Sequence, residues 1–202
     1  MKTPDIAVLE HLITEAMQSN DWATVHDLEP RLDAATQPKD PPPLVSAALY
    51  YAELGLHVFP LRRLSKLPHR TSRGFKDATT NRDIIIAKWQ RWPDSNIGIA
   101  TGHLIDVIDI DGPEGVHSWA QMMDTLPPIL GTVSTPRWDE QKQQPRLPRG
   151  GGTHLYIAAT GDGNAAKIFP GVDTRGLGGY VCAPPSVMPN GVYRWRRPLA
   201  LP

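Results

Sequence analysis

The sequence predicts an α+β fold, because two kinds of pattern are mixed along the chain. Several segments carry apolar residues at helical spacing, and others are short β-branched runs bounded by glycine, proline and further turn-forming residues. The chain has 202 residues, enough for one domain with a full core or for such a domain with a small appendage. Mixed helices and strands at this length indicate one α+β sheet domain.

Residues 1–36 predict an acidic helical extension. Apolar residues recur at helical spacing between positions 8 and 17, and Asn20 is a typical cap for a second helix. Residues 37–43, QPKDPPP, predict a proline-rich linker to the main domain at residues 44–202. The extension carries no chemical signature, so it is either a docking appendage or a cover for the domain.

The main domain shows helices and strands whose ends carry turn signals. LVSAALYYAELG predicts a buried helix closed by Gly55, HVFPL a strand, and TTNRDIIIAKWQRWP a capped helix stopped by Pro93. Strands follow at NIGIAT and LIDVIDID, and GPEGVHSWAQMM predicts a helix with Pro113 as its first residue. The later predicted strands are ILGTVST, THLYIAA, GGYVCAPP and GVYRW.

Composition excludes several classes of protein. A single cysteine, Cys182, rules out an internal disulfide, and the chain has neither a CxxC pair nor an HExxH motif, so no zinc site is predicted. No apolar run approaches the roughly 18 residues that a membrane span needs. The N-terminus lacks the basic-then-apolar layout of a secretory signal. A cytoplasmic protein without membrane contact is the expectation.

Charge is balanced overall but unevenly distributed. Residues 1–44 hold eight acids and three Lys or Arg, which leaves residues 45–202 with 13 acids and 18 Lys or Arg, a net charge of +5. Six of these cations and no acid lie in residues 61–76, LRRLSKLPHRTSRGFK, here called the basic segment. Such a segment suits a polyanion track, although a solvated loop is the alternative interpretation.

The segment DVIDIDGPEG places three acids in an otherwise apolar strand. Because residues two apart share a face, Asp109 and Asp111 project together, while Ile108 and Ile110 point into the core. Asp106 has the opposite parity. The two carboxylates on one face, about 6–7 Å apart, repel each other, and a divalent cation removes that cost. Oxygen ligands without nearby His or Cys favour Mg²⁺ or Mn²⁺, although an edge strand ending in water, or pairing with arginine, would also explain the pattern.

Two later segments carry groups that suit phosphate. RGGGTHLYI sets three glycines, Gly150 to Gly152, before a strand that includes His154, and glycine amides can form a concave nest for an anion. A flexible loop followed by a surface histidine is the alternative. FPGVDTRGLGGYV places Asp173 and Arg175 two residues apart. Asp173 would be a third metal-binding carboxylate, and Arg175 beside it would bind phosphate through its guanidinium. The alternative is an ion pair between the two at the surface.

Together these elements resemble the prim-pol domain of bifunctional DNA primase/polymerases, a branch of the archaeo-eukaryotic primase superfamily. The matching pieces are VIDID, Gly152-Thr153-His154 and Val172-Asp173, in that order. GLHVFPL, SKLP, GFKDATTN, NIGIATG, GGTHLYI and VDTRGLGGYVCAPPS extend the resemblance over residues 44–202. It implies an αβ module joined to a sheet module like an RNA-recognition motif, with the helical extension added and the active site in the cleft between the modules.

The resemblance also implies the roles of particular residues. Asp109, Asp111 and Asp173 match the ligands of two Mg²⁺ or Mn²⁺ ions, and His154 matches the contact to the nucleotide triphosphate. Arg175, Lys66 and Gly152 are the further nucleotide-binding candidates. The implied catalytic residues are therefore the three aspartates and His154.

The implied function is a template-dependent DNA primase/polymerase, a nucleotidyltransferase of phage or mobile-element DNA replication. Its partners would be single-stranded DNA, nucleoside triphosphates, and a helicase or other replication protein in the same polypeptide or separate. The basic segment would follow template phosphates, and Trp89, Trp92 and Trp138 are candidates to stack bases, although a tryptophan in a helix is more often a core residue. The rival functions are a non-catalytic nucleic-acid-binding module and a metal-dependent nuclease. Residues 138–148 depart from the family pattern and are expected to form an insertion beside the nucleotide site.

Overall fold

A computed structural model describes the chain at residues 6–19, 21, 24, 27–28, 31–32, 44–121, 127–136, 138–139, 144–145 and 152–202. The chain divides into two compact units, Met1–Pro41 and Pro42–Pro202. The predicted linker at residues 37–43 and the predicted cap Asn20 lie outside the described residues.

The first unit contains helix α1 (Ile6–Gln18). Leu9 and Ile13, one turn apart on this helix, pack with Leu28 and Leu32 in a small buried cluster. The helical spacing of Leu9 and Ile13 therefore places both side chains in this cluster.

The second unit is built from helices and antiparallel strands, so the α+β class is confirmed. Its helices are α2 (Leu44–Glu53), α3 (Arg82–Arg91) and α4 (Gly112–Ala120), with a 3₁₀ turn at Gly74–Asp77. Asn81 caps α3, since its side-chain oxygen accepts a hydrogen bond from the Ile84 N–H at 3.1 Å. Gly55 follows α2 with φ of +84°, as the predicted helix end requires.

Two sheets form the body of this unit. The smaller has the order β1 (Val58–Leu61), β2 (Asn96–Ala100) and β10 (Tyr180–Ala183). The larger has the order β13–β4–β7–β3–β9–β8. Its strands along the chain are β3 (Ile105–Asp111), β4 (Gly131–Thr135), β7 (Gly152–Ala158), β8 (Ala165–Phe169), β9 (Val172–Arg175) and β13 (Arg194–Arg197).

Two short hairpins complete the described strands. The strands β5 (Trp138–Asp139) and β6 (Gln144–Pro145) pair within the predicted insertion. The strands β11 (Val187–Met188) and β12 (Gly191–Val192) pair between β10 and β13. Strand β12 lies within the predicted strand GVYRW. The other strands of these hairpins, strand β8 and the 3₁₀ turn are not predicted from the sequence.

The six-stranded sheet buries both of its faces, and strand parity decides what each face carries. On one face, Ile108 and Ile110 pack with Leu155 and Val172 against Trp119 of α4. On the other face, Val107, Val133 and Tyr156 share a core with the three-stranded sheet and α2. Asp109 and Asp111 have the parity of Val107, so they lie on the face that meets the three-stranded sheet. The predicted inward direction of Ile108 and Ile110 is confirmed.

Candidate active site

The strand ladder brings the candidate residues together around Asp109. Strand β3 is central in its sheet, and Asp109 stands directly opposite His154 on β7 and opposite Asp173 on β9. Directly opposed residues share a face of the sheet, with Cα atoms about 4.5–5.5 Å apart. Three positions separated by up to 64 residues of sequence therefore form one group. The alternative that the Asp-x-Asp pattern ends an edge strand in water is wrong, because β3 has a neighbour on each side.

The side chains of this group form a charged contact. His154 Nε2 lies 3.5 Å from Asp109 Oδ1. Arg175 places one guanidinium nitrogen 3.1 Å from Asp173 Oδ2 and 3.9 Å from Asp109 Oδ2. The guanidinium therefore neutralises part of the negative charge that the paired aspartates bring together.

His154 is a buried and neutral histidine. It is 5% exposed, so the alternative of a surface histidine is wrong. Burial lowers the pKa of His154 to about 3; the negative charge of Asp111 opposes this shift, and Lys66 and Arg175 add to it. Its Nδ1 atom is buried and has no hydrogen-bond partner among the described residues. The imidazole is therefore available as a neutral hydrogen-bonding group rather than as a cation.

Asp111 occupies the junction between β3 and α4. It stands at the cap position of the helix, yet its side chain makes no capping hydrogen bond. Its backbone N–H donates to the Gly171 carbonyl at 2.8 Å, which ties this end of β3 to the turn before β9. The Asp111 carboxylate lines a cavity instead of capping the helix.

Gly152 lies opposite Asp111 as the first residue of β7. A Cβ atom at this position would lie 2.6 Å from Thr135 Oγ1 and 3.1 Å from Asp111 Oδ1. The glycine therefore leaves room for the carboxylate, and its φ is not in the positive region, so the predicted reason for a glycine differs from the observed one. Gly150 and Gly151, the rest of the predicted anion nest, lie outside the described residues.

The group opens into a cavity of about 300 Å³ that both sheets line. Asp109, Asp111, His154 and Arg175 contribute from the six-stranded sheet, and Lys66 contributes from the basic segment. Asp173 is not among the lining residues, and it adjoins the cavity through Arg175. Two carboxylates, one neutral imidazole and two cations thus face the same space.

Lys66 is held by its backbone. The Tyr180 hydroxyl donates to the Lys66 carbonyl at 3.1 Å, and Asn96 donates to the Ser65 carbonyl at 3.0 Å. Asn96 is 1% exposed and also bonds both backbone groups of Val187. The three-stranded sheet therefore fixes the part of the basic segment that faces the cavity.

Sequence reasoning misses five side chains that line the cavity. They are aromatic or polar: Phe75, Thr135, Asn164, Tyr180 and Tyr193. Each reaches the cavity through a tertiary contact, such as the pairing of β10 with β2 about 80 residues away, and no local pattern marks such a contact. The GFKD and GGYV segments are the available signals, since both belong to the ordered family resemblance.

The three predicted tryptophans differ in their surroundings. Trp89 is 3% exposed and its indole N–H donates to the Ser95 carbonyl, so it is a core residue and the prediction that it stacks a base is wrong. Trp92 is partly exposed and stacks on His69. The side chain of Trp138 lies outside the described residues.

The carboxylates fit hard cations by their chemistry. Among the described residues, no group of three His, Cys, Asp or Glu side chains is already close enough to enclose an ion. The Asp173 carboxylate is bonded to Arg175 in this structure. Asp109 and Asp173 nevertheless face each other from neighbouring strands, and Asp111 lies on the same face, so all three supply the oxygen donors that Mg²⁺ and Mn²⁺ prefer.

Comparison with known proteins gives one family. The family model described as Prim-Pol, the N-terminal part of bifunctional DNA primase/polymerases, matches residues 48–202. A search of curated proteins returns no significant match. Within the described residues no helix is long and apolar enough to cross a bilayer.

Proposed function

Since the chain belongs to the Prim-Pol family, the N-terminal domain of bifunctional DNA primase/polymerases, we propose that it is a template-dependent DNA primase/polymerase. The reaction is nucleotidyl transfer: a 3′-oxygen attacks the α-phosphorus of a nucleoside triphosphate, and pyrophosphate leaves. The observation that supports it best is the convergence of Asp109, Asp173 and His154 from three adjacent strands.

In this proposal Asp109, Asp111 and Asp173 hold two divalent cations, Mg²⁺ or Mn²⁺. Bound there, the ions would supply activation of the 3′-hydroxyl and neutralisation of the leaving pyrophosphate. Asp109 is the central residue, because it stands opposite Asp173 and lies two positions from Asp111. Arg175, which bonds Asp173 in this structure, turns to a phosphate oxygen when Asp173 takes its part in holding the ions.

The triphosphate is recognised by neutral and cationic groups together. Because its pKa is lowered to about 3, His154 is uncharged at neutral pH and contacts a phosphate oxygen through a ring N–H. The positive charge comes from Lys66 and Arg175, which line the same cavity. Gly152 serves the site indirectly, by leaving room for the Asp111 carboxylate.

The two sheets correspond to the two modules of a primase-like core in this proposal. The six-stranded sheet with α4 is the module that resembles an RNA-recognition motif, and the three-stranded sheet with α2 and α3 is the αβ module. This assignment is supported by the cavity that strands of both sheets line. Single-stranded DNA is the template, and a helicase or another replication protein is the expected partner in phage or mobile-element replication in the cytoplasm.

A nucleic-acid-binding module without catalysis is the second candidate function. It is favoured by the ion pair that holds Asp173 on Arg175, together with the absence of a ready-made cation group among the described residues. In such a module the aspartates would serve only to balance the nearby cations.

The test is nucleotide incorporation on single-stranded DNA with labelled nucleoside triphosphates and either Mg²⁺ or Mn²⁺. The double variant Asp109→Asn/Asp111→Asn preserves side-chain shape and removes both charges. Asp94→Asn, at an exposed turn, is the matched control. Product from wild type and from Asp94→Asn, but not from the double variant, supports the proposal.

The other outcomes separate the rivals. DNA binding without any product in all three proteins favours the non-catalytic module. Shortening of the DNA without triphosphates, lost in the double variant, favours a nuclease. Synthesis by the double variant at the wild-type rate would show that Asp109 and Asp111 take no part in catalysis.

A further inference from the structure

A second cavity, of about 480 Å³, lies between β1, the basic segment and α3. It is separate from the cavity that contains Asp109, and the two share no lining residue. The basic segment forms a wall of both cavities. Lys66, Leu67 and Phe75 line the first cavity, and Thr71, Ser72 and Gly74 line the second.

The second cavity is cationic. Lys88 and Arg91 of α3 line it, and Asp77 is the only acid among the described residues that line it. Asp77 is already neutralised by Arg73, whose guanidinium lies 2.7 Å from its carboxylate. The pKa of Asp77 is lowered, mainly by a hydrogen bond from the backbone N–H of Arg73, so the carboxylate stays charged and paired. The charge that remains toward the cavity is positive.

Arg91 makes a cation–π contact with the tryptophan that follows it. Its guanidinium lies over the Trp92 ring, 4.7 Å from the centroid. Trp92 in turn stacks on His69 with 4.3 Å between centroids and 12° between planes, and the His69 Nε2 atom lies 2.9 Å from Ser95 Oγ. No ion pair of Arg91 occurs among the residues that the structure describes.

A guanidinium that makes a cation–π contact keeps N–H donors available for two oxygens of a phosphate. Because its guanidinium already rests on the Trp92 ring, Arg91 loses less side-chain freedom on binding than an unsupported arginine would. Thr71 and Ser72 of the basic segment line the same cavity.

We propose that the second cavity is a subsite for the sugar–phosphate backbone of single-stranded DNA, with Arg91 as its phosphate-binding residue. The strand is the template of the proposed primase/polymerase, so the inference rests on that function. A polyanion complements the charge of the cavity, and the shared wall lets one strand continue from the first cavity to the second.

The test measures binding of a fluorescent oligodeoxythymidylate by anisotropy at several salt concentrations. Arg91→Gln is expected to weaken binding by roughly threefold or more and to reduce the slope of log K against log salt by about 0.7, the value of one lost phosphate contact on a single strand. Arg91→Lys keeps the charge without the planar fork, so its salt slope stays near that of wild type while its affinity falls.

Arg82→Gln is the matched control, because Arg82 is an exposed arginine at the opposite end of the same helix. It is expected to bind DNA as wild type does. Thermal melting of all variants shows whether each is folded. Equal affinity and equal salt slope for Arg91→Gln and Arg82→Gln would overturn the inference.

The binding assay needs no catalysis, so the two proposals can fail separately. Arg91-dependent DNA binding by a protein that makes no product supports the subsite and refutes the proposed enzyme. Where product is made, the template KM of Arg91→Gln is expected to rise with its dissociation constant. A rise in the nucleotide KM alone, with unchanged DNA binding, would assign the cavity to a free nucleotide and overturn the inference.

Discussion

At the scale of single residues, the position of Lys66 depends on a hydroxyl group across the cavity. Tyr180 donates a hydrogen bond to the Lys66 carbonyl, and its ring packs edge-on against Phe59 at 5.2 Å between centroids. The hydroxyl group therefore positions Lys66, while the ring packs against Phe59. A phenylalanine at position 180 removes the hydrogen bond and keeps the ring packing.

We expect Tyr180→Phe to raise the KM for nucleoside triphosphate while leaving the protein folded. A lost hydrogen bond of about 0.5–1.5 kcal/mol corresponds to roughly a two- to tenfold change if it appears wholly in binding. Tyr50→Phe is the control, since Tyr50 is 54% exposed and outside the cavity. Steady-state kinetics in the nucleotide measures the effect, and an unchanged KM would show that Lys66 needs no support from Tyr180.

His69 gives a pH-dependent stability at the same scale. Burial lowers the pKa of His69 from its ordinary 6.5, and the nearby charge of Arg62 acts in the same direction. Below pH 6.5 the unfolded chain binds a proton that the folded protein does not, so the free energy of unfolding falls as the solution is acidified. This contribution is fully present above pH 6.5 and is lost toward the lowered pKa.

His69→Phe keeps an aromatic ring against Trp92 and removes the titration. We expect its free energy of unfolding to fall less between pH 7.5 and pH 5.5 than that of wild type. Urea denaturation at the two pH values measures this difference, which is independent of any constant loss of stability in the variant. An equal fall in both proteins would show that His69 does not contribute.

At the scale of elements, two glycines join α4 to the turn before β9. Gly171 has φ of +71°, and a Cβ atom there would lie 2.4 Å from the Gly115 backbone nitrogen. A Cβ atom at Gly115 would in turn lie 2.3 Å from the Gly171 carbonyl oxygen. The same turn bonds the Asp111 N–H and leads into Asp173, so the contact sets one carboxylate relative to the other.

Gly171→Ala is therefore expected to cost more than the strain of a positive φ. Gly161→Ala is the matched control, because Gly161 has φ of +86° and nothing within 4 Å of an added Cβ. We expect about 1 kcal/mol from the control and at least twice that from Gly171→Ala, with a lower kcat in addition. Chemical denaturation and turnover measurements test this, and equal losses in the two variants would contradict a backbone clash.

The sequence predicts elements well where the pattern is local. Asn81, Pro113 and Gly55 mark helix ends that the structure contains, and the alternation of Ile108 and Ile110 with Asp109 determines which face is apolar. Strand β8 escapes prediction because its Ile168 and Phe169 are exposed and show no alternation with polar residues. Short-range periodicity is the signal, and β8 lacks it.

The candidate site is less predictable, because it is made by register. Parity places Asp109 and Asp111 on one face, but no local rule pairs Asp109 with both His154 and Asp173. The ordered family resemblance supplied that grouping. The resemblance gives neither the burial of His154 nor the steric reason for Gly152, because both arise from side-chain packing that no sequence pattern encodes.

At the scale of the whole molecule, the family match and the division of the chain nearly coincide. The second compact unit begins at Pro42, and the family model begins at residue 48. All residues of the candidate site lie in this unit, which has its own core between the two sheets.

We therefore expect residues 42–202 to fold alone and to incorporate nucleotides with a kcat within about twofold of the full chain. Cooperative thermal melting and the incorporation assay measure both properties. Loss of cooperative folding on removal of residues 1–41 would indicate that the first unit covers part of the domain. Retained folding with weakened association to a replication partner would indicate that it is a docking appendage.

The pairing of Thr135 with Gly152 has a consequence for the length of the chain between them. Thr135 and Gly152 stand directly opposite each other at the end of the β4–β7 ladder, so the ladder already holds together both ends of the chain between them. Doubling the length of a loop costs only about 0.6 kcal/mol in closure entropy. Sequence can therefore be added or removed between Thr135 and Gly152 while Asp109 and Asp111 keep their spacing in the candidate active site, which also makes this part of the chain the natural position for grafting a peptide tag.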